Sequence, residues 1–346
     1  MKKIAMAGAG AVGSLIGGYL SKGGEDVTLI EPFWLEHIQA IRQHSLLIDG
    51  CRGKHLVSIK ALHVSELNQL EKRSLDILFL TVKSNDTEDV LNLMLPYLRD
   101  DAWVVSCQNG INTDIISSTV GSSRTIGCVL MFWVVLWKPG HVIQTAAPDV
   151  TFTVGELSGE ITPRIQEIAR ILNLCATSKI STNIMGHLWS KLAVNCMGNA
   201  MAGITGCFAG RLFQDERVRH IYRRIAAEVI AVGKALGYRV EPVLGISTEL
   251  WEHSTKTHID AIEQVMLERG QDSSEHYSSL FHDIFKGRPT EIDWLNGYVI
   301  RRGKDAGIPT PANEAVYRLV KEVEEGKLKY SLDNVDTVYR LITGAQ

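Results

Sequence analysis

The sequence predicts an α/β domain built on a parallel sheet, followed by an all-α domain. Two observations predict the first domain: short apolar runs alternate with helical segments, and a glycine-rich turn follows the first of these runs. One observation predicts the second: from about Asn183 onward, apolar residues recur with the 3.6-residue period of a helix. We therefore expect domains at residues 1–182 and 183–346.

A strand, a turn, a helix and a second strand begin the chain. They are predicted at Ile4–Ala7, Gly8–Gly13, Ser14–Lys22 and Val27–Glu31. This βαβ context makes the glycine spacing G-x-G-x-x-G informative, because the spacing alone is a weak signal. The two lysines before the apolar run imitate a secretory signal. Gly17-Gly18 and the return of charge at Lys22 argue against a membrane helix, so we do not expect an export signal.

The turn has the composition of a dinucleotide site of the Rossmann type. Its first glycine permits a tight turn, its second lets a pyrophosphate approach the backbone, and its third lets helix and strand pack closely. The N-terminus of the following helix then faces the anion. The predicted cofactor-binding residues of this turn are Gly8, Ala9, Gly10, Ala11, Val12 and Gly13.

Two further strands with a helix between them continue a doubly wound sheet. The strands are predicted at Leu75–Lys83 and Ala102–Gly110, with the helix around Asp86–Leu98. Ligands of such sheets bind beyond the carboxyl ends of the strands, which here carry Glu31, Lys83 and Asn109. We therefore expect these side chains beside the glycine turn. Taken alone, Lys83 is equally consistent with a solvated strand end, and Asn109 with an Asn-Gly turn.

Composition limits the classes of function. The 36 basic and 39 acidic residues nearly balance and form no long basic run, which argues against a nucleic-acid or membrane-surface partner. Six scattered cysteines without a C-x-x-C pair favour buried thiols in a reducing compartment over a metal site or disulfides. The apolar stretch Cys128–Trp137 is about half a membrane span and is predicted as one buried strand. We expect a cytoplasmic protein without a metal site.

Polar residues on one helix face mark candidate chemistry in the second domain. Lys191, Asn195 and Asn199 are spaced i, i+4 and i+8, so they project from one side of a largely apolar helix. A lysine among apolar neighbours has a lowered pKa, which brings it toward the range useful for acid-base catalysis. The alternative is a solvated face on which the asparagines only cap or pack.

A second polar cluster lies further along the chain. Ser279 is predicted on a helix that ends at Gly287. Thr290 then resembles a helix N-cap, with Asp293 three residues later, which puts Glu291 in the first helical turn. Considered alone, Glu291 would only complement the helix dipole there, a contribution of about 0.3 to 1 kcal/mol.

Together these motifs resemble those of the ketopantoate reductases (2-dehydropantoate 2-reductases). The resemblance extends along nearly the whole chain, through GAGAVG, TVKSND, QNGIN, LWSKLAVNCMGN, YSSLFHDIFKGRPTEIDWLNG and GIPTPANEAVY. Each motif is weak alone, but their order and spacing together are specific. That family pairs a Rossmann domain with a helical domain like the C-terminal domain of 6-phosphogluconate dehydrogenase. The resemblance implies a homodimeric oxidoreductase that reduces a 2-oxo acid with a nicotinamide cofactor, in the cleft between its domains.

The resemblance also implies roles for individual residues. Lys191 matches the family's catalytic lysine, which protonates or polarises the carbonyl oxygen, and Glu291 matches the acid that orients substrate and lysine. The other matches are substrate-binding Asn195 and Asn199, Ser279 near the substrate carboxylate, and Asn109 and Lys83 beside the cofactor and the carbonyl. These types suit the chemistry, because hydride addition creates negative charge on the carbonyl oxygen and an ammonium stabilises it.

Two positions depart from the family pattern. The family usually has an arginine after the second strand that holds the adenosine 2′-phosphate, whereas this chain has Glu31 and Pro32. An acid there accepts hydrogen bonds from a free ribose diol and repels a phosphate, so within NAD(P)H we expect NADH to be preferred. The family's asparagine three residues before the matching serine is here His276. That position contacts substrate, so the 2-oxo acid need not be ketopantoate.

Two alternatives remain open. An NAD-linked D-2-hydroxy acid dehydrogenase for another branched or aromatic substrate would share these motifs. His276, Trp251 and Trp294 would shape its pocket, although a buried aromatic residue more often belongs to the core. A non-catalytic nucleotide-sensing module would share the glycine turn, which also occurs in flavin proteins. The presence of Lys191 together with Glu291 argues against such a module, because binding alone needs no proton donor.

Overall fold

The computed structural model describes residues 1–145, 151–252, 255–272 and 277–344. The chain divides into two compact units, Met1–Ile184 and Met185–Gln346. This division falls two residues beyond the boundary expected from the sequence. His276 lies outside the described residues, so its role as a substrate contact stays a prediction.

Twelve strands and five α-helices lie in the described part of the first unit. The strands are β1 (Lys3–Ala7), β2 (Asp26–Glu31), β3 (Leu46–Gly50), β4 (His55–Val57), β5 (Lys60–His63), β6 (Leu75–Leu80), β7 (Leu98–Ser106), β8 (Thr125–Met131), β9 (Val134–Lys138), β10 (His141–Gln144), β11 (Thr151–Glu156) and β12 (Thr177–Ile180). The helices are α1 (Ala11–Lys22), α2 (Leu35–His44), α3 (Thr87–Met94), α4 (Thr113–Val120) and α5 (Pro163–Leu172).

Eight of these strands form the main sheet, in the order β12-β11-β8-β7-β6-β1-β2-β5. Pairing is parallel from β5 through β8, whereas β11 runs antiparallel to β8. The chain moves outward from β1 to β2 and β5, and then returns to place β6 on the other side of β1. The strand order therefore reverses between β1 and β6, which is where sheets of this kind bind ligands. The predicted α/β domain of Rossmann type is confirmed.

The remaining four strands form a second sheet, in the order β4-β3-β10-β9, which the sequence did not predict. The expected single buried strand at Cys128–Trp137 is wrong, because the stretch is shared between β8 of the main sheet and β9 of the second sheet. Trp133 and Trp137, at 54% and 51% exposure, are not buried. The strands β3 and β4 are only five and three residues long, too short for a clear alternation of apolar residues.

The second sheet explains the paired glycines of α1. A Cβ on Gly17 would lie 2.6 Å from a methyl group of Leu29 in the main sheet. A Cβ on Gly18 would lie 2.7 Å from a methyl group of Ile48 in the second sheet. Because α1 is covered on both sides by apolar side chains, only small residues fit where the helix approaches each sheet most closely.

The described residues of the second unit form nine α-helices. They are α6 (Ile184–Thr205), α7 (Ala209–Gln214), α8 (Glu216–Ala235), α9 (Thr248–Glu252), α10 (Lys256–Asp272), α11 (Ser279–Phe285), α12 (Asn296–Ala306), α13 (Pro311–Glu324) and α14 (Asn334–Thr343). The predicted all-α domain is confirmed. Across the described ranges of the chain, no helix combines the length and apolarity that crossing a bilayer requires.

A buried carboxylate joins four helices of this unit. Glu228 on α8 accepts hydrogen bonds from the backbone N–H groups of Ala312 (2.9 Å) and Asn313 (3.0 Å), at the start of α13, and from the Asn313 side chain (2.8 Å). The Asn313 side-chain oxygen accepts from Asn296 Nδ2 on α12 (3.0 Å), which also donates to the Cys196 carbonyl of α6 (3.3 Å). The carboxylate thus satisfies N–H groups that have no partner within their own helix.

We predict that Glu228→Ala lowers the free energy of unfolding by about 2 to 4 kcal/mol, because it leaves three buried N–H donors without an acceptor. Urea denaturation measures the change. Glu216→Ala is the matched control, since Glu216 lies exposed on the same helix and should cost less than about 1 kcal/mol. Equal losses for the two variants would contradict the structural role of Glu228.

Candidate functional site

The glycine turn packs backbone against backbone at the end of β6. Gly8 has φ +105°, and its N–H donates to the Ile30 carbonyl at 2.8 Å. A Cβ on Gly8 would lie 2.5 Å from the backbone nitrogen of Val82. A Cβ on Gly13 would collide with the Gly8 carbonyl oxygen and lie 2.6 Å from Thr81 Oγ1, which itself donates to that oxygen at 2.7 Å. Both positions therefore require glycine.

The turn leads into the N-terminus of α1, whose first backbone N–H groups have no partner within the helix. Gly10 is the N-cap of α1, and within the described structure no side chain caps this helix end and no acid occupies its first turn. A Cβ on Gly10 would meet no described atom within 4 Å. Ala9 is buried, and Ala11 and Val12 are half-buried. Unpaired N–H groups at the positive end of a helix dipole attract an anion, so the predicted turn residues fit the pyrophosphate of a dinucleotide.

The structure brings the other predicted residues of the first unit to the same edge of the sheet. The carboxyl ends of β1, β2, β6 and β7 are in register. Glu31 is the last residue of β2. Lys83 and Asn109 each lie three residues beyond their strands, which end at Leu80 and Ser106. The sequence placed both inside strands that were predicted too long, and the structure moves them into the turns that follow.

A buried polar network, which the sequence did not indicate as functional, joins these two turns. Ser84 Oγ and Asn112 Nδ2 both donate to the Asn109 carbonyl, at 3.0 and 2.8 Å. Gln108 Nε2 donates to the Val82 carbonyl at 3.0 Å. The motifs TVKSND and QNGIN contain these residues, but only the fold shows that one motif bonds to the other. The network fixes the backbone that carries Lys83 and Asn109.

Glu31 is buried at the end of β2 and held by backbone N–H groups. Its Oε1 accepts from Phe33 at 3.0 Å and from Trp34 at 3.3 Å, and the backbone N–H of Ala9 contributes a further hydrogen bond. Burial raises the pKa of Glu31, and these N–H donors oppose that shift. The carboxylate lies where Rossmann-type domains contact the adenosine ribose.

In the second unit, Lys191 lies in an apolar stretch of α6, between the buried residues Trp189 and Leu192. Its side chain is half-buried and makes no hydrogen bond or ion pair with any residue that the structure describes. Burial lowers the pKa of Lys191 to about 8. Asn195, buried, and Asn199, half-buried, follow one and two turns later on the same face.

The prediction that Glu291 occupies the first turn of a helix is wrong. A short 3₁₀ turn begins at Ile292, Glu291 precedes it as a buried residue, and α12 begins only at Asn296. The Thr290 hydroxyl oxygen does accept a backbone N–H, as the capping signature predicted, but from Ile292 of the 3₁₀ turn. The backbone of Leu295, with φ −103° and ψ −101°, is not helical and separates the two elements.

Ser279 is the first residue of α11, and the Ser278 side chain caps that helix by accepting the Phe281 N–H at 3.2 Å. The predicted residues of the second unit therefore lie in three separate segments of the chain. Lys191 and the two asparagines share α6, whereas Ser279 and Glu291 lie elsewhere along the chain. Neither contacts Lys191 by a hydrogen bond or an ion pair in the described residues.

A glycine turn at the switch point of a parallel sheet, with a fixed acid at the end of β2, defines a dinucleotide-binding domain of the kind found in dehydrogenases. Known protein families match both units of the chain. The family model described as ketopantoate reductase PanE/ApbA matches residues 4–159, and the model of its C-terminal domain matches residues 183–324. The chain belongs to the ketopantoate reductase family, whose members are NAD(P)H-dependent oxidoreductases, and it is an oxidoreductase.

Individual relatives support the assignment to this family. The 2-dehydropantoate 2-reductase of Pyrococcus horikoshii is 30% identical over 323 residues, which are 93% of this chain and 97% of the relative. The enzyme of the same name from Lactococcus lactis is 30% identical over 327 residues, 93% and 98% of the two chains.

Solved structures also match nearly the whole chain. A PanE/ApbA family ketopantoate reductase from Ralstonia eutropha has a TM-score of 0.78 at 29% identity, covering 94% of this chain and 99% of its own. D-mandelate dehydrogenase, solved with NADH and anilino(oxo)acetate, shares the fold with a TM-score of 0.81 at 24% identity and the same coverage.

We predict that two glycines of the turn respond differently to alanine. Gly10→Ala leaves stability within about 0.5 kcal/mol, because the methyl group enters open space, yet raises the dissociation constant for the dinucleotide at least about tenfold by blocking the pyrophosphate. Gly13→Ala lowers stability by about 1 to 3 kcal/mol, because its methyl group overlaps backbone. Thermal unfolding and fluorescence titration with NADH measure both quantities. Unchanged affinity in Gly10→Ala would exclude the turn as the binding site.

Proposed function

We propose that this oxidoreductase reduces a 2-oxo acid, with ketopantoate as the first candidate, to the D-2-hydroxy acid, and that Lys191 is the proton donor. Lys191 carries the proposal, since burial lowers its pKa to about 8 and it has no partner in the described structure. The relatives named 2-dehydropantoate 2-reductase support the substrate class. In this proposal residues 1–182 bind the cofactor and residues 183–346 bind the substrate.

The chemistry of carbonyl reduction explains the need for such a lysine. A bound nicotinamide would supply a hydride to the carbonyl carbon. The carbonyl oxygen gains negative charge and must then receive a proton. With a pKa of about 8, Lys191 is largely protonated at neutral pH and is also a stronger acid than an ordinary lysine. Its ammonium stabilises the transition state more than the ground-state ketone, which is the requirement for catalysis.

The neighbouring side chains are proposed to orient the substrate. Asn195 and Asn199 carry amide groups one and two turns beyond Lys191 and are proposed to hydrogen-bond the 2-oxo acid. Ser279 is proposed to bind its carboxylate. The buried carboxylate of Glu291 is proposed to orient the lysine and the substrate.

Two residues of the first unit complete the proposed set. Lys83 and Asn109 are proposed to lie beside the nicotinamide and the reacting carbonyl. The support is their position in two turns that a buried polar network joins at the edge carrying the glycine turn.

The cofactor is proposed to be NADH rather than NADPH. Glu31 supports this choice, because backbone N–H groups hold its carboxylate at the end of β2. A fixed carboxylate accepts hydrogen bonds from a ribose diol, whereas it repels a 2′-phosphate. The family resemblance adds a homodimer to the proposal, which light scattering on the purified protein tests directly.

A panel of 2-oxo acids with NADH and NADPH tests the proposed reaction. We expect turnover with ketopantoate or with another branched or aromatic 2-oxo acid, and a D-configured product. Preference for a substrate other than ketopantoate would favour the D-2-hydroxy acid dehydrogenase alternative. Absence of turnover with every member would favour the nucleotide-sensing module.

Lys191→Ala is expected to lower kcat at least about 100-fold, because the proton donor is lost, while the dissociation constant for NADH changes less than about twofold. In the wild type, kcat/KM for reduction should fall above pH 8, since deprotonated Lys191 cannot donate a proton, and should level off below that pH. Stopped-flow assays across pH measure both effects. Lys304→Ala, which removes an exposed lysine of α12, is the control and should behave as wild type. Retained turnover in Lys191→Ala would refute the role.

Glu31→Gln is expected to reduce the preference for NADH over NADPH by about tenfold, which corresponds to about 1.4 kcal/mol. The substitution keeps an oxygen for the backbone N–H groups and removes only the charge that repels a phosphate. The measurement is kcat/KM with each cofactor. Glu36→Gln, an exposed acid on α2, is the matched control. A wild-type protein that uses NADPH as efficiently as NADH would refute the preference.

A further inference from the structure

His37 connects the glycine turn to a loop of the second sheet through directed hydrogen bonds. It is fully buried on α2, and the Trp34 ring stacks on it with 5.4 Å between ring centroids. Its Nε2 lies 3.0 Å from Ser14 Oγ, and its Nδ1 accepts the backbone N–H of Gly140 at 3.0 Å. Ser14 Oγ in turn donates to the Ala9 carbonyl oxygen at 2.7 Å. The series of hydrogen bonds that starts at Gly140 therefore ends at Ala9 of the glycine turn.

The partners of His37 determine which nitrogen carries its hydrogen. The Gly140 N–H can only donate, so Nδ1 is unprotonated. The Ser14 hydroxyl hydrogen is directed at the Ala9 carbonyl, so Ser14 Oγ is an acceptor toward His37, and Nε2 carries the hydrogen. The imidazole is thus neutral. In agreement, burial lowers the pKa of His37 to about 4.

These hydrogen bonds fix the orientation of the peptide group that joins Ala9 to Gly10. In a trans peptide the carbonyl and the N–H point in opposite directions, and the described chain contains no cis peptide. Because the Ala9 carbonyl is turned inward to Ser14, the Gly10 N–H is turned outward. The space beside Gly10 is open, since a Cβ there would meet no described atom within 4 Å.

We propose that His37 is a positioning residue of the dinucleotide site, which acts through Ser14 to hold the Gly10 N–H toward the pyrophosphate. The inference rests on the proposed binding of a nicotinamide dinucleotide. An N–H donor that already points at its anion needs no reorientation on binding, which increases affinity. The loop that orients the imidazole is itself anchored, because the Gly140 carbonyl accepts the Leu47 N–H of β3 at 2.9 Å.

Two substitutions separate the two hydrogen bonds of His37. His37→Gln places an amide N–H near the position of Nε2 and keeps the donor to Ser14. His37→Asn places an oxygen near the position of Nδ1 and keeps only the acceptor for Gly140. Each variant loses one hydrogen bond, so we expect similar decreases in unfolding temperature, and dinucleotide binding is the property that should distinguish them.

We expect the dissociation constant for NADH to rise about fivefold in His37→Asn, as for loss of one hydrogen bond, and to stay within about twofold of wild type in His37→Gln. Ser14→Ala removes the donor to Ala9 directly and should match His37→Asn. Affinity for ADP should fall in the same proportion, because ADP contains the pyrophosphate. KM for NADH should rise, with kcat at saturating NADH nearly constant, since Lys191 is unchanged.

Equal NADH affinities of His37→Asn and His37→Gln, or affinities that follow the unfolding temperature in all three variants, would overturn the positioning role. A wild-type chain that binds neither NADH nor NADPH would instead overturn the proposed function, and the inference with it.

Discussion

The close approach of the Gly8 backbone to the backbone at Thr81 and Val82 is the constraint on which the first unit depends. It places the N-terminus of α1 between β1 and β6, where the strand order of the sheet reverses. The constraint is steric, because neither Gly8 nor Gly13 has room for a Cβ. From this place α1 runs between the two sheets, and Gly17-Gly18 permits its close approach to each of them. Close packing at glycine positions thus recurs along α1, from the anion site to the second sheet.

Hydrogen bonds between buried polar groups fix the relative positions of helices and turns that steric packing alone does not determine. Glu228, Asn313 and Asn296 together join four helices of the second unit. Asn112 and Gln108 join two turns of the first. Each of these groups would cost free energy if it were buried without a partner, which favours the arrangements in which it is hydrogen-bonded. The helix that carries Lys191 is held in this network by a hydrogen bond to the Cys196 carbonyl, five residues beyond the lysine.

Burial shifts the pKa values of the two proposed functional groups, Lys191 and Glu31, in opposite directions. Desolvation disfavours the charged form of any group, so it lowers the pKa of Lys191 and raises the pKa of Glu31. Glu31 differs in having backbone N–H donors that favour its carboxylate form. Lys191 has no such partner in the described residues. The first arrangement suits a permanent acceptor for a ribose, and the second suits a group that gives up a proton.

Signals within single segments of the sequence predicted the glycine turn, the strands around it and the polar residues on one face of α6, and the order of the motifs indicated the family. The second sheet, the placement of Glu291 before a 3₁₀ turn and the contact of His37 with Gly140, 103 residues apart, appear only in the folded structure. Periodicity and turn chemistry belong to a single segment, whereas packing and hydrogen-bond satisfaction depend on partners that folding brings from elsewhere in the chain.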